Sequence, residues 1–132
     1  MQPTDSDIVF QSYGRCCNKE KFFVDFYDRF MGSSTDIRQL FANTDMKAQR
    51  HLLRNGIMQL VLYSRGMPDT KLRALGKSHD RNGYNIRPEW YRLWLDALLA
   101  TIRQHDEEYS PEIEASWHRA ILPGIEIIRK AY

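Results

Sequence analysis

Cysteine is nearly absent. There are two in 132 residues, Cys16 and Cys17, and they are adjacent. Neighbouring cysteines cannot staple distant segments, and a bridge between them needs strained geometry. Nor do they form the Cys-x-x-Cys spacing of a metal or redox motif, so both read as reduced thiols. No apolar run approaches the ~18 residues that would span a bilayer. The longest, Ile57 to Tyr63, already contains Gln59. A secretory leader is missing too, because Met1 to Asp7 is acidic and lacks a basic start and an apolar stretch. The expected location is therefore the cytoplasm. Charge of one sign is scarce. The net charge is +2, from 19 Lys and Arg against 17 Asp and Glu, too little by itself to point to nucleic acid. Strand signals are weak as well, since β-branched residues never alternate with polar ones over a useful length.

What is present is helical periodicity in a chain of single-domain length, expected as one domain over 1–132. Thr4 with Asp7 predicts a capped helix start, running to about Cys17 and ending at Asn18. Lys19 to Met31 carries Phe22, Phe23, Phe26, Tyr27 and Phe30 as a wide apolar stripe, and Gly32 is expected to terminate it in the left-handed conformation. Ser33, Ser34 and Thr35 cap a short turn holding Ile37, Leu40 and Phe41. A long helix after Thr44 has Met46, Gln49, Leu53, Ile57, Leu60 and Val61 on one face, until Arg65-Gly66-Met67-Pro68 breaks it. A short helix from Asp69 or Thr70 carries Leu72, Leu75 and His79, with Asn82-Gly83 as its end. Pro88 suits the first turn of the next, whose face is Tyr91, Trp94, Leu95, Leu98 and Ile102. Ser110-Pro111-Glu112 opens the last, with Ile113, Trp117, Ile121, Ile125 and Ile128 as its stripe and a kink expected at Pro123. The fold class is all-α, with six or seven helices.

Two of these apolar faces hold one polar residue each, Gln49 and His79. A lone histidine on such a face is ordinarily a core residue, so the pair gains meaning only from its context. That context resembles the globin family, and within it the bacterial single-domain globins. Tyr27 precedes Phe41 by fourteen residues, similar to the family's separation between its distal B-helix residue and its haem-stacking phenylalanine. Leu40 to Gln49 resembles the corner that leads into the distal helix. Leu75-Gly76-Lys77-Ser78-His79 is similar to the proximal helix, Glu89 to Trp94 to the start of the G helix, and Ala115-Ser116-Trp117 to the H helix. The first helix departs from the pattern in having Tyr13 where a tryptophan is common, and Arg50 stands where many members carry a small residue.

The resemblance implies a globin fold around haem b, iron protoporphyrin IX, with His79 as the iron ligand. It implies Tyr27 and Gln49 as distal hydrogen-bond donors, Phe41, Leu53 and Leu75 against the macrocycle, and Tyr84, Ile86, Tyr91 and Trp94 at its edge. Ser78, or the Leu75 carbonyl, would accept from the non-ligating nitrogen of His79 and fix its tautomer. Arg81 would lead the cations at the propionates, with Lys77 and Arg50 as the others. His105 and His118 read as surface residues. The distal register stays open between Gln49 and His51. Placing His51 inward brings Asn55 and Gln59 to the haem side in place of Leu53 and Ile57, losing contacts each worth roughly 1.5–3 kcal/mol.

Iron held by one histidine leaves its other axial position for a diatomic gas, so the implied ligands are dioxygen, nitric oxide and carbon monoxide. The implied role is oxygen binding, storage or gas sensing. The alternative is a haem enzyme, such as a nitric oxide dioxygenase or a weak peroxidase. Such a dioxygenase draws electrons from a reductase, and the sequence holds no second domain, so a separate reductase is expected as its partner.

Overall fold

Seven helices form a computed structural model in which residues 2–132 are described, with no strand among them. They are α1 (Asp5–Cys16), α2 (Glu20–Gly32), α3 (Thr35–Leu40), α4 (Met46–Ser64), α5 (Thr70–His79), α6 (Trp90–His105) and α7 (Pro111–Lys130). Local chemistry explains most of the starts. Thr4 and Asp7 close a reciprocal capping box at α1, and the Ser34, Asp45 and Ser110 side chains accept from the first free N–H groups of α3, α4 and α7.

The C-terminal α7 is the organising element. It packs on α1, α4, α5 and α6, while α2 packs on α3, α4 and α6. Trp117, Ile121, Ile125 and Ile128 are the buried stripe of α7 and meet Ile57, Leu60 and Val61 of α4 and Leu72 of α5 in one hydrophobic core. Pro123 lies on the exposed side of α7, which continues through it to Lys130. No helix among the described residues is long and apolar enough to cross a membrane.

Three boundaries differ from the sequence expectation. Gly32 is the last residue of α2 and does not adopt positive φ; Ser33 caps the helix with its N–H and its hydroxyl on the Phe30 carbonyl. The short helix α5 ends at His79, three residues before Asn82. The reason is a turn closed by the Asp80 carboxylate, which accepts from the N–H groups of Asn82 and Gly83 at 2.9 Å each. Pro88 belongs to the turn before α6, with the Tyr91 N–H donating to its carbonyl at 3.3 Å.

The two thiols are free and buried between helices. Burial raises that of Cys16 to about 12 and that of Cys17 further, so both stay protonated and unreactive at neutral pH.

Candidate functional site

The aromatic stripe of α2 sets one wall of the site. Phe26 and Tyr27 are buried and meet edge to face, their ring centres 5.1 Å apart. Phe26 also meets Trp94 of α6 at 5.7 Å, and Tyr27 meets Phe41 at 5.4 Å. Gln49, one turn into α4, donates from Nε2 to the Tyr27 hydroxyl at 3.1 Å. The two side chains are thus in series. Because Tyr27 Oη accepts from the amide, its own hydrogen is left to point at a third group. Burial raises the Tyr27 phenol to about 12, with the Gln49 hydrogen bond opposing, so it remains a neutral donor. Leu53, one turn beyond Gln49, is buried, whereas His51 and Asn55 are exposed. The apolar stripe of α4 decides this register, as Leu53, Ile57, Leu60 and Val61 cannot be buried together with His51.

The opposite wall is the end of α5 and the corner after it. His79 Nδ1 lies 3.1 Å from the Tyr91 hydroxyl of α6. Burial lowers the imidazole's pKa and so favours its neutral form. The corner folds back on the helix end. The Tyr84 N–H donates to the Ser78 carbonyl and the Ile86 N–H to that of His79, both at 2.9 Å. This return is possible because residue 83 is glycine, where a Cβ would stand 2.2 Å from the Ser78 carbonyl oxygen. Tyr84 reaches the surface, 71% exposed, with its ring 6.4 Å from the imidazole.

Helix α6 joins the walls, since Tyr91 contacts His79 and Trp94, three residues on, contacts Phe26. Phe41, Leu75, Ile86, Tyr91 and Trp94 are all only half-buried, although each belongs to an inward-facing or corner segment. No group of three His, Cys, Asp or Glu among the described residues could hold a bare ion. One neutral imidazole beside apolar and aromatic walls fits a metal whose remaining ligands come from a flat prosthetic group, and so fits haem. Two shallow clefts elsewhere, one around Tyr63, Met67 and Arg119 and one around Ile8, Arg15 and Ile113, include none of these residues.

The globin family model matches residues 24–122. The chain belongs to the globin family. A solved structure from Pseudomonas aeruginosa PAO1, described as a protein structurally highly homologous to a human hemoglobin, is 53% identical, with 98% of each chain covered and a TM-score of 0.95. A search of curated proteins finds no match. Membership carries with it haem-based binding of diatomic gases in general.

Several sequence expectations change within this globin. The Ser78 hydroxyl donates to the Leu75 carbonyl at 2.8 Å, and the hydrogen-bond partner of His79 Nδ1 is instead Tyr91, which sequence reasoning placed at the macrocycle's edge. Arg81 is exposed and contacts Tyr132. Its Nε donates to the Tyr132 carbonyl at 3.1 Å and its guanidinium lies 4.7 Å over the Tyr132 ring. Arg50 is likewise taken up, donating to Glu20 of α2 at 2.5 Å, which explains how an arginine is accommodated beside Gln49. Lys77 is exposed with no ion pair among the described residues. His118 is exposed as expected, but His105 is not: its Nε2 lies 2.7 Å from Asp25 and its ring packs edge-on against Phe22. Sequence reasoning also missed Asp106. This buried carboxylate accepts from Ser12 at 2.5 Å and from Arg15 at 2.6 and 3.0 Å, while the Trp117 indole donates to Ser12 at 2.9 Å. Its only sequence signal was an acid directly after a helix end, which looks like any loop residue.

Proposed function

We propose that this globin binds haem b through His79 and reversibly binds dioxygen beneath Tyr27, serving oxygen binding, storage or sensing. The observation that carries the reading is the pair of polar contacts on the two walls, Gln49 to Tyr27 and His79 to Tyr91, each set among apolar side chains. When bound, haem would supply an iron centre able to take up a small ligand. The protein supplies the rest. The His79 Nε2 lone pair would hold the iron. With Nε2 so engaged, the ring would carry its proton on Nδ1 and donate it to Tyr91 Oη, which would hold the ring's orientation. Phe41, Leu53 and Leu75 would flank the macrocycle and exclude water. The edge would be lined by Ile86, Tyr91 and Trp94, with Tyr84 at the lip.

Tyr27 offers its hydroxyl hydrogen to a ligand that draws negative charge onto itself. Gln49 strengthens that donor by polarising it, because hydrogen bonds in series reinforce one another. This favours dioxygen over carbon monoxide and leaves nitric oxide as a second ligand. The fold sets the donor in place before the ligand arrives, so little reorganisation opposes binding.

The test is Tyr27→Phe in the haem-loaded protein. The substitution keeps the ring and removes the hydroxyl. A hydrogen bond to a charged partner is worth about 1.5–3 kcal/mol, so dioxygen dissociation should rise about ten-fold or more. Carbon monoxide dissociation should change much less. Equal changes for both gases would mean that Tyr27 acts only through pocket shape.

A further inference from the structure

The starts of α1, α3, α4 and α7 are each held by a side-chain cap, and that of α2 is not. Lys19 stands at its N-cap position without a side-chain hydrogen bond. The first turn of α2 carries Glu20 instead, whose carboxylate is joined across to α4. Arg50 Nε donates to Glu20 Oε1 at 2.5 Å, and the Arg54 guanidinium lies 4.0 Å from Oε2. Arg54 also stacks over the Phe23 ring at 4.8 Å, with its Nε buried and without a hydrogen-bond partner. From Met46 to Ser64, α4 holds Lys47, Arg50, His51 and Arg54 and no Asp or Glu. Among the described residues, Glu20 is the one acid within ion-pair distance of Arg50 or Arg54.

Register ties this contact to the pocket. Glu20, Phe23 and Tyr27 fall at i, i+3 and i+7 on one face of α2, and Arg50 directly follows Gln49 on α4. Among the described residues, the other hydrogen bond between these two helices is Gln49 to Tyr27. It is 3.1 Å long, so a displacement of roughly half an ångström takes it past bonding distance. An exposed ion pair adds little to overall stability. A small shift of α4 is nonetheless enough to break a contact of such narrow tolerance. Without the carboxylate, Arg50 and Arg54, one turn apart, repel each other where α4 meets α2.

We propose that Glu20 is a positioning residue for the Gln49–Tyr27 pair. It draws Arg50 and Arg54 toward α2 and so keeps the Gln49 amide within reach of the Tyr27 hydroxyl. The proposal rests on the reading of Tyr27 as the donor to the gas. Its consequence is that retention of a gas that draws negative charge depends on an ion pair at the protein surface, outside the pocket.

The test compares the wild type, Glu20→Gln, and the charge swap Glu20→Lys with Arg50→Glu, as full chains. The first reading is solvent exchange of the Gln49 side-chain amide by NMR, before haem loading and in the diamagnetic carbon monoxide form after it. Exchange should rise about two- to five-fold in Glu20→Gln, the range an exposed ion pair carries, and the charge swap should restore it. Raising salt from about 20 mM to about 1 M should bring the wild type to the Glu20→Gln value and leave Glu20→Gln unmoved. The second reading is dioxygen dissociation, which should quicken over the same range in Glu20→Gln. In a Tyr27→Phe background, Glu20→Gln should change it no further, because the two act through one hydroxyl. Unchanged Gln49 exchange in Glu20→Gln would overturn the proposal. So would a loss that the charge swap does not restore, or an equal quickening in the Tyr27→Phe background. Gln49 exchange that follows Glu20 while Tyr27→Phe leaves dioxygen release unaltered contradicts the donor reading alone, and a chain without a Soret band contradicts the haem reading beneath it.

Discussion

At the scale of single residues, the site depends on which polar groups the helical period turns inward. Gln49 and His51 are two residues apart on α4, a spacing that puts them on different faces, so only one can serve the pocket. Gln49 is bonded to Tyr27 and His51 is exposed. An amide is a poor haem ligand and an imidazole a strong one, so the two arrangements predict different spectra. The ferrous, unliganded protein should be five-coordinate and high-spin, and His51→Ala should leave that spectrum unchanged. A six-coordinate, low-spin ferrous form abolished by His51→Ala would reverse the register. Tyr91 shows how a residue's part can lie beyond what spacing reveals. Twelve positions separate it from His79, across a corner whose path no periodicity defines.

At the scale of elements, two junctions hold helix ends in place. The first is the corner after α5. Gly83→Ala would drive a methyl group into the Ser78 carbonyl, so the turn must open and the end of α5 must shift with it. Overpacking of this kind costs about 1–3 kcal/mol. Haem should be lost from Gly83→Ala faster than from the wild type, measured by transfer to an acceptor apoprotein. Unchanged loss would mean the corner does not hold His79. The second junction ties α1 to the end of α6 and to α7 through Asp106, Arg15, Ser12 and Trp117. Burial acts to raise the Asp106 pKa, and the Arg15 and Ser12 hydrogen bonds more than offset it, so the net shift is downward. A carboxylate with a lowered folded-state pKa stabilises the protein above its unfolded value near 3.8, and that contribution is lost as pH falls through the folded value. Asp106→Asn should destabilise the fold by about 1.5–3 kcal/mol at neutral pH, because it takes the charge from the buried acceptor of the Ser12 and Arg15 hydrogen bonds. The penalty should shrink on acidification below pH ~4. Urea unfolding at several pH values reads both effects, and a pH-independent difference would contradict this account.

At the scale of the whole molecule, helices and core were legible because their information is local. The stripe Trp117, Ile121, Ile125 and Ile128 announces α7, and the hydroxyl caps of Thr4, Ser34 and Ser110 mark starts through contacts within three residues. His79, Tyr27 and Gln49 stood out as candidates through spacing shared with a known family. Long-range polar pairing was not. Asp25 with His105 and Arg81 with Tyr132 join residues 80 and 51 positions apart, and nothing in the flanking sequence specifies those partners. All the functional claims converge on one side chain, and the direct measurement is haem titration of the purified apoprotein, followed at the Soret band, for the wild type and for His79→Ala, His105→Ala and His118→Ala. The wild type and the His105 and His118 variants should bind one equivalent at micromolar concentration with the same spectrum, and His79→Ala should not retain haem. A His79→Ala protein that holds haem with an unchanged spectrum would contradict the account.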